Sequence, residues 1–225
     1  MRTPVARLGI DLGRADHGVS AREPLMKRPF DALLAAIGLT LSAPVWLAVG
    51  LAVRLEDAGP VFYVQERWGK NGTRFRAFKF RSMVASADRD WGSTQAEEND
   101  SRITKTGKIL RATALDELPQ LLNILRGDMS FVGPRALPVN EVQAKEEQAH
   151  VPDRDIPGFY GRLRARPGLT GIAQIYAPRD VPRREKFEYD LAYIRKQSFL
   201  LDLKLIFLSF LITFRGKWEE RGKKI

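Results

Sequence analysis

The sequence predicts an α+β fold, mostly helical and membrane-associated. Three stretches lead there. Residues Ala32 to Val53 form a 22-residue run without a single charge, flanked by Lys27-Arg28 and Arg54. Two runs rich in β-formers lie on either side of Asn71-Gly72. The almost wholly apolar run from Phe199 to Phe214 is short for a membrane span. The expected architecture is an N-terminal re-entrant helix-break-helix, a small β-hairpin and amphipathic interfacial helices. Residues 1-24 read as a flexible basic tail, 25-54 as the membrane segment, and 55-225 as a folded domain with a C-terminal interfacial helix.

The tail mixes arginines with acids and holds no apolar run of signal-peptide length. The uncharged run, as a straight helix, would be roughly 33 Å long, about the hydrocarbon thickness of a bilayer. Two features argue that it bends instead of crossing. Pro44 sits at its centre, where a proline removes a helical hydrogen bond. Basic residues flank both sides, six in residues 1-31 and seven in 54-82, so neither end is marked as external. Ser42 is then placed to satisfy a carbonyl freed at the kink.

Val61 to Glu66 and Arg74 to Arg81 around an Asn-Gly turn predict a hairpin, with a bulge because the alternation is imperfect. Residues 84-101 read as an acidic surface loop, with a short helix over Met83 to Asp90. Leu118, Leu121, Leu122 and Leu125 recur at helical spacing, which predicts a core-facing helix ending near Gly127, with Gln120, Asn123 and Arg126 on its other faces. Pro119 is tolerated only in a first turn, so Asp116 and Glu117 are expected at that helix's N-terminal end. Asn140 to Gln148 reads as a solvated helix, Ile172 to Tyr176 as a short strand, and Glu185 to Lys196 as an amphipathic helix. Phe199 to Phe214, interrupted by Asp202 and Lys204, suits the membrane interface, with Lys217, Arg221 and the terminal lysines reaching headgroups.

Composition narrows the chemistry. With 225 residues the chain is one domain with appendages. It has no cysteine and only His17 and His150, which excludes thiolate chemistry and argues against histidine-rich metal sites; any metal is a hard ion on oxygen ligands. A net charge of +10 points to a polyanionic partner: nucleic acid, an anionic membrane or a phosphorylated substrate. Asp116 and Glu117 stand among Arg102, Lys105, Lys108, Arg111, Arg126 and Arg135, and two Gly/Pro turns carry Arg135 and Arg166 on stiff loops. Such cations suit phosphate oxygens, and carboxylates among them suit a metal or a nucleophile, although capping alone also explains an acidic pair in a first turn.

Six stretches in order carry a resemblance. They are Val64-Gln65-Glu66-Arg67-Trp68-Gly69, Phe78-Lys79-Phe80-Arg81-Ser82-Met83, Leu115 to Leu121, Phe131-Val132-Gly133-Pro134-Arg135, Arg166 to Gly171 followed by Ala173-Gln174, and Tyr193 to Lys204. Together the chain resembles the bacterial sugar transferase family, the small monotopic polyprenyl-phosphate phosphoglycosyl transferases. The resemblance implies transfer of a sugar-1-phosphate from a UDP-sugar to a membrane polyprenyl phosphate such as undecaprenyl phosphate. UMP is released, on the cytoplasmic face of a bacterial inner membrane, as the first membrane step of exopolysaccharide or other glycoconjugate synthesis. It implies Asp116 as nucleophile and Mg²⁺ ligand (with Mn²⁺ as substitute), Glu117 as its partner, and Lys79, Arg111, Arg135 and Arg166 on phosphate or nucleotide. It also implies a re-entrant helix at Ser42 and Pro44. Ala43 stands where a serine often precedes the proline, and Ala136-Leu137-Pro138 lacks the usual second proline after the arginine. No long multi-span domain precedes the core, as in the small members.

The partners expected are therefore the UDP-sugar, the lipid phosphate and an anionic membrane, with no nucleic acid; a homodimer stays open. The rival from another class is a non-enzymatic membrane-anchored basic module, which leaves the acidic pair unexplained. A glycosidase fits poorly, because adjacent helical residues point about 100° apart and rarely flank one bond.

Overall fold

The computed structural model describes residues 23-87, 100-139, 152-178 and 181-215. The basic tail apart from its last two residues, the acidic stretch 88-99, the expected helix Asn140 to Gln148, and Lys217 and Arg221 lie outside them.

Helix α1 runs from Lys27 to Asp57, 31 residues including Pro44. One stripe of it meets the rest of the chain along its whole length. Lys27, Asp31, Ala35, Val49 and Val53 are buried, Gly38 lies against Leu121, and Ser42 and Trp46 fill the gap between them. These positions recur every three or four residues, the repeat of a helix face. The opposite side exposes Leu33, Ile37, Leu41, Leu47, Leu51 and Leu55. Pro44 is on that exposed side, and the helix continues through it, so the expected break is not an interruption of the helix. Packing on both sides of the proline holds the helical path that its missing hydrogen bond would otherwise loosen. The Ser42 hydroxyl does donate to a backbone carbonyl, Leu39 O at 3.5 Å, but not to that of Thr40, four residues before Pro44, and it accepts from the Trp46 indole at 3.0 Å.

Strands β1 (Phe62–Trp68) and β2 (Arg74–Phe80) pair antiparallel from Phe62↔Phe80 to Trp68↔Arg74. The register never shifts, so the expected bulge is absent; the broken alternation reflects β2 being covered by α1 and by the helix after the acidic pair. The turn between them needs left-handed backbone at Asn71 and Gly72, which the Asn-Gly pair supplies. Met83 forms an isolated bridge with Ile103 in place of opening a helix. Helix α2 (Lys105–Ala112) is capped twice, by Thr104 through Gly107 N–H at 2.9 Å and by the Glu56 carboxylate on Lys105 and Thr106 N–H at 2.6 and 3.0 Å.

Helix α3 (Gln120–Arg126) stops at Gly127, whose left-handed φ of 97° closes the helix. Beyond it, β3 (Ser130–Val132) pairs parallel with β4 (Gly168–Thr170), with α4 (Phe159–Arg162) in the connection. This ladder is so tight that a Cβ on Gly168 would lie 2.0 Å from Gly133 N. Ile172–Tyr176 is a helix, α5, not the strand expected. Ile172 and Ile175, three apart, are both buried, a helical spacing that five residues of β-rich composition conceal. Helix α6 (Arg183–Lys196) begins two residues before the expected start at Glu185, and α7 (Phe199–Phe214) has the expected extent.

Asp202 does not interrupt an interfacial face. It is buried, with the Lys27 ammonium 2.7 Å from one oxygen and the Tyr193 hydroxyl donating to the other at 2.7 Å, while Lys27 also donates to Val132 O at 2.9 Å. This ties the start of α1 to α6, α7 and β3. Asp202→Ala should therefore strand a buried ammonium and lower stability by about 3–5 kcal/mol in denaturant titration of the detergent-solubilised protein. Adding Lys27→Met should recover most of the loss.

Candidate active site

The acidic pair is delivered by a strained turn. After α2, Ala114 takes the left-handed conformation (φ 56°) that an L-residue with a Cβ rarely adopts. The chain then makes one 3₁₀ turn, Leu115–Glu117, and only after Pro119 does α3 begin. Asp116 and Glu117 are thus on their own turn and not in the first turn of the helix. The leucine stripe of α3 faces the core only in part: Leu121 is buried and Leu118 packs against the core, but Leu125 is exposed, while Gln120, Asn123 and Ile124 are buried. The reason is Asn123, which behaves as a clamp: its carbonyl oxygen accepts from Phe78 N–H at 3.1 Å and its amide donates to Arg76 O at 2.8 Å. A fully buried amide with matched partners on a strand edge outweighs a leucine stripe.

The clamp fixes β2 against the acidic turn and sets Lys79 between the two carboxylates. Lys79 Nζ is 2.5 Å from Glu117 Oε1 and 3.8 Å from Asp116 Oδ2. Arg135, on the loop after β3, brings Nη2 to 4.0 Å from Glu117 Oε1 and remains 56% exposed, open to a ligand. Arg111 lines the same cleft, and its charge acts on Asp116. Arg166 is not brought in. Its guanidinium donates to Gly127 O at 3.1 Å and pairs with Glu23, away from the residues that line the cleft.

The cleft has a volume of about 1110 Å³. Its charged lining is Asp116, Glu117, Lys79, Arg111 and Arg135, with Arg183 and Lys186 of α6. Its apolar lining includes Leu34, Ile37 and Leu41 of α1 and Ile206, Phe210 and Phe214 of α7. Arg162 and Asp190 also line it, although the sequence does not single them out: each stands in a charge-rich run that reads as solvated surface.

Burial drives the two acids apart. Desolvation raises the Asp116 carboxyl, the neighbouring Glu117 charge adds to this, and Lys79, Arg111 and Arg135 only partly counter, leaving it at about 6. Desolvation also opposes ionisation of Glu117, but Lys79 and Arg135, with the Lys79 hydrogen bond, outweigh it and hold that group at about 2. Glu117 is thus held ionised, while Asp116 keeps its proton to higher pH than an ordinary aspartate. Among the described residues no three His, Cys, Asp or Glu side chains gather around a metal-sized space. Two adjacent carboxylates nevertheless fit Mg²⁺, which takes one or two from a protein and the rest of its ligands from phosphate and water.

The cleft thus combines a buried acidic pair among cations with apolar side chains from α1 and α7. The family model for bacterial sugar transferase matches residues 22–216. The exopolysaccharide production protein ExoY of Sinorhizobium fredii is 38% identical over 197 residues, covering 81% of this chain and 83% of that protein. The UDP-glucose:undecaprenyl-phosphate glucose-1-phosphate transferase of Escherichia coli is 42% identical over 207 residues, 90% of this chain but 43% of that protein. The UDP-N-acetylgalactosamine-undecaprenyl-phosphate N-acetylgalactosaminephosphotransferase of Aeromonas hydrophila is 39% identical over 196 residues, 85% of this chain and 44% of that one. The chain belongs to the bacterial sugar transferase family, and the non-enzymatic basic module falls away.

The opposite shifts give opposite stability effects. Asp116 binds its proton more tightly folded (about 6) than at its ordinary value of 3.8, so it withdraws stability as pH rises from about 4 to 6. Glu117, at about 2 against 4.5, contributes stability above about pH 4.5 that is lost as pH falls toward 2. In thermal unfolding at pH 7.5, Asp116→Asn should match or exceed the wild-type midpoint, an advantage that vanishes near pH 4. Glu117→Gln should lower the midpoint at pH 7.5.

Proposed function

We propose that this protein transfers a sugar-1-phosphate from a UDP-sugar to a membrane polyprenyl phosphate, in the first membrane step of exopolysaccharide or related glycoconjugate synthesis. The observation that carries this is the Asp116–Glu117 pair, set among Lys79, Arg111 and Arg135 in a cleft that apolar side chains of α1 and α7 also line. A nucleotide diphosphate matches the cations and a prenyl chain matches the apolar lining.

In the reaction we infer, the ionised Asp116 carboxylate attacks the sugar-bearing phosphorus. The bond to the inner phosphate breaks, UMP leaves, and an aspartyl-phosphosugar remains. A phosphate oxygen of the polyprenyl phosphate then attacks the same phosphorus, breaks the bond to Asp116 and restores the carboxylate. Lys79, Arg111 and Arg135 hold the diphosphate oxygens and offset the charge that would repel an incoming carboxylate. Glu117, kept ionised by Lys79, orients that ammonium and shares the metal site with Asp116. Mg²⁺, or Mn²⁺ in its place, would neutralise the diphosphate when bound. Arg166 has no part in this scheme, because its guanidinium is already committed to Gly127 and Glu23.

Wild-type enzyme mixed with UDP-sugar, Mg²⁺ and no lipid should release about one equivalent of UMP and carry a sugar-phosphate on Asp116, seen by peptide mass spectrometry after rapid quench. EDTA should prevent both. Asp116→Asn should do neither, and its turnover should fall at least about 10³-fold, or ~4 kcal/mol of barrier. UMP release that strictly requires polyprenyl phosphate, with no adduct, would instead favour direct transfer in one ternary complex.

We also infer that α1 enters the membrane from the cytoplasmic face without crossing it. The support is its docking: a helix held against the charged domain from Lys27 to Val53 cannot traverse hydrocarbon unless that domain does so too. Since the chain has no cysteine, Leu25→Cys and Asn71→Cys can be labelled singly. Both should resist an impermeant thiol reagent in intact cells and react after lysis; labelling of Leu25→Cys alone in intact cells would mean a span.

A further inference from the structure

We propose that Arg162 and Asp190 form a positioning pair that aims Arg135 at the donor diphosphate. This rests on the reading of Arg135 as a phosphate ligand.

The geometry is specific to a guanidinium. Arg162, at the end of α4, and Asp190, in α6, are each about 2% exposed. Arg162 Nε donates to Asp190 Oδ2 at 2.8 Å, and its Nη2, also 2.8 Å from that oxygen, donates to the backbone carbonyl of Arg135 at 2.5 Å. The guanidinium lies over the Phe187 ring, 4.8 Å from its centroid, which fixes its plane. One side chain therefore spans a carboxylate and a main-chain oxygen at once. A lysine ammonium keeps the charge but has neither the flat fork nor the stacking face.

What Arg162 holds matters more than that it is buried. A buried ion pair adds little net stability compared with apolar side chains of the same size. This one instead anchors the carbonyl of the residue whose own guanidinium faces Glu117 at 4.0 Å. The same loop is also held by backbone, since Arg135 bridges to Gly168 and Gly168 N–H bonds to Pro134 O at 2.9 Å, and by Arg67, which donates to the next carbonyl, Ala136 O, at 2.8 Å. The Arg135 side chain is more than half exposed. Its direction thus depends on its main chain, and Arg162 bonds the Arg135 carbonyl itself from α4 and α6. A small error in the aim of a diphosphate ligand is costly to turnover.

The test is a double-mutant cycle on the full-length enzyme in detergent or nanodiscs, read as kcat and KM for UDP-sugar and, separately, KM for polyprenyl phosphate. Arg135→Ala and Arg162→Lys should each reduce kcat/KM for UDP-sugar by roughly 10- to 100-fold. Neither should change KM for the lipid more than about twofold. In the Arg135→Ala background, Arg162→Lys should cost no more than about a further twofold, because its effect passes through Arg135. Losses that multiply overturn the proposal, as does a normal Arg135→Ala enzyme beside an impaired Arg162→Lys one. If Arg162→Lys does not fold, Asp190→Asn, which leaves the guanidinium in place and loosens its anchor, enters the same cycle with the same criteria. Multiplying losses in an enzyme that Asp116→Asn still inactivates reject the positioning role alone. A wild-type protein that turns over no UDP-sugar rejects the reading beneath it as well.

Discussion

One ammonium between two neighbouring carboxylates is the contact on which this architecture turns. Adjacent acids in a buried site repel each other, and burial penalises both charges. Lys79 resolves this unequally: it bonds Glu117 closely and Asp116 at longer range, so one acid is locked as an anion and the other keeps its proton to higher pH. That inequality requires β2 to stand at a fixed height beside the 3₁₀ turn. The fixed height in turn requires Asn123 to bond the strand's main chain, and α3 to be short enough to present Asn123 there. Strand, turn and helix are therefore arranged around a separation of a few ångströms.

Much of this was legible in the sequence, for reasons that differ by element. The Asn-Gly turn, the Gly127 stop and the apolar run of α7 rest on local backbone preferences and periodicity, which act whatever the rest of the chain does. The acidic pair with Arg111 and Arg135 was recognisable as a charge constellation, and Lys79 only through the family resemblance. What the sequence concealed depends on long-range partners. Nothing local distinguishes Asp202, 175 residues from Lys27, from a solvated charge. Asn123 reads as a polar residue on an outer face until the strand edge it completes is known. Arg166 sits on a stiff loop as a phosphate ligand would, yet two acceptors elsewhere claim it. Pro44 signals a break, but the stripe that docks α1 on both sides keeps the helix intact.

The charge distribution follows the same division. Among the described residues Lys79, Arg111 and Arg135 face the cleft, whereas the most deeply buried cations are neutralised individually: Lys27 by Asp202 and Arg162 by Asp190. Excess positive charge is thus available to ligands, while the interior stays balanced. The exposed leucines and phenylalanines of α1 and α7 complete the picture, since Ile37 and Leu41 of α1 and Phe210 and Phe214 of α7 line the same cleft as the acidic pair.

The docking of α1 changes what a membrane anchor means for this protein. Ala35 belongs to the main hydrophobic core, and Val49 and Val53 form a second core with Phe80 and Leu110. The helix is a beam of the catalytic body and not a tether attached to it. Trimming it away to obtain a soluble enzyme would open both cores and remove one wall of the cleft. Solubility here is a matter of choosing an amphiphile to cover the outer face of the beam.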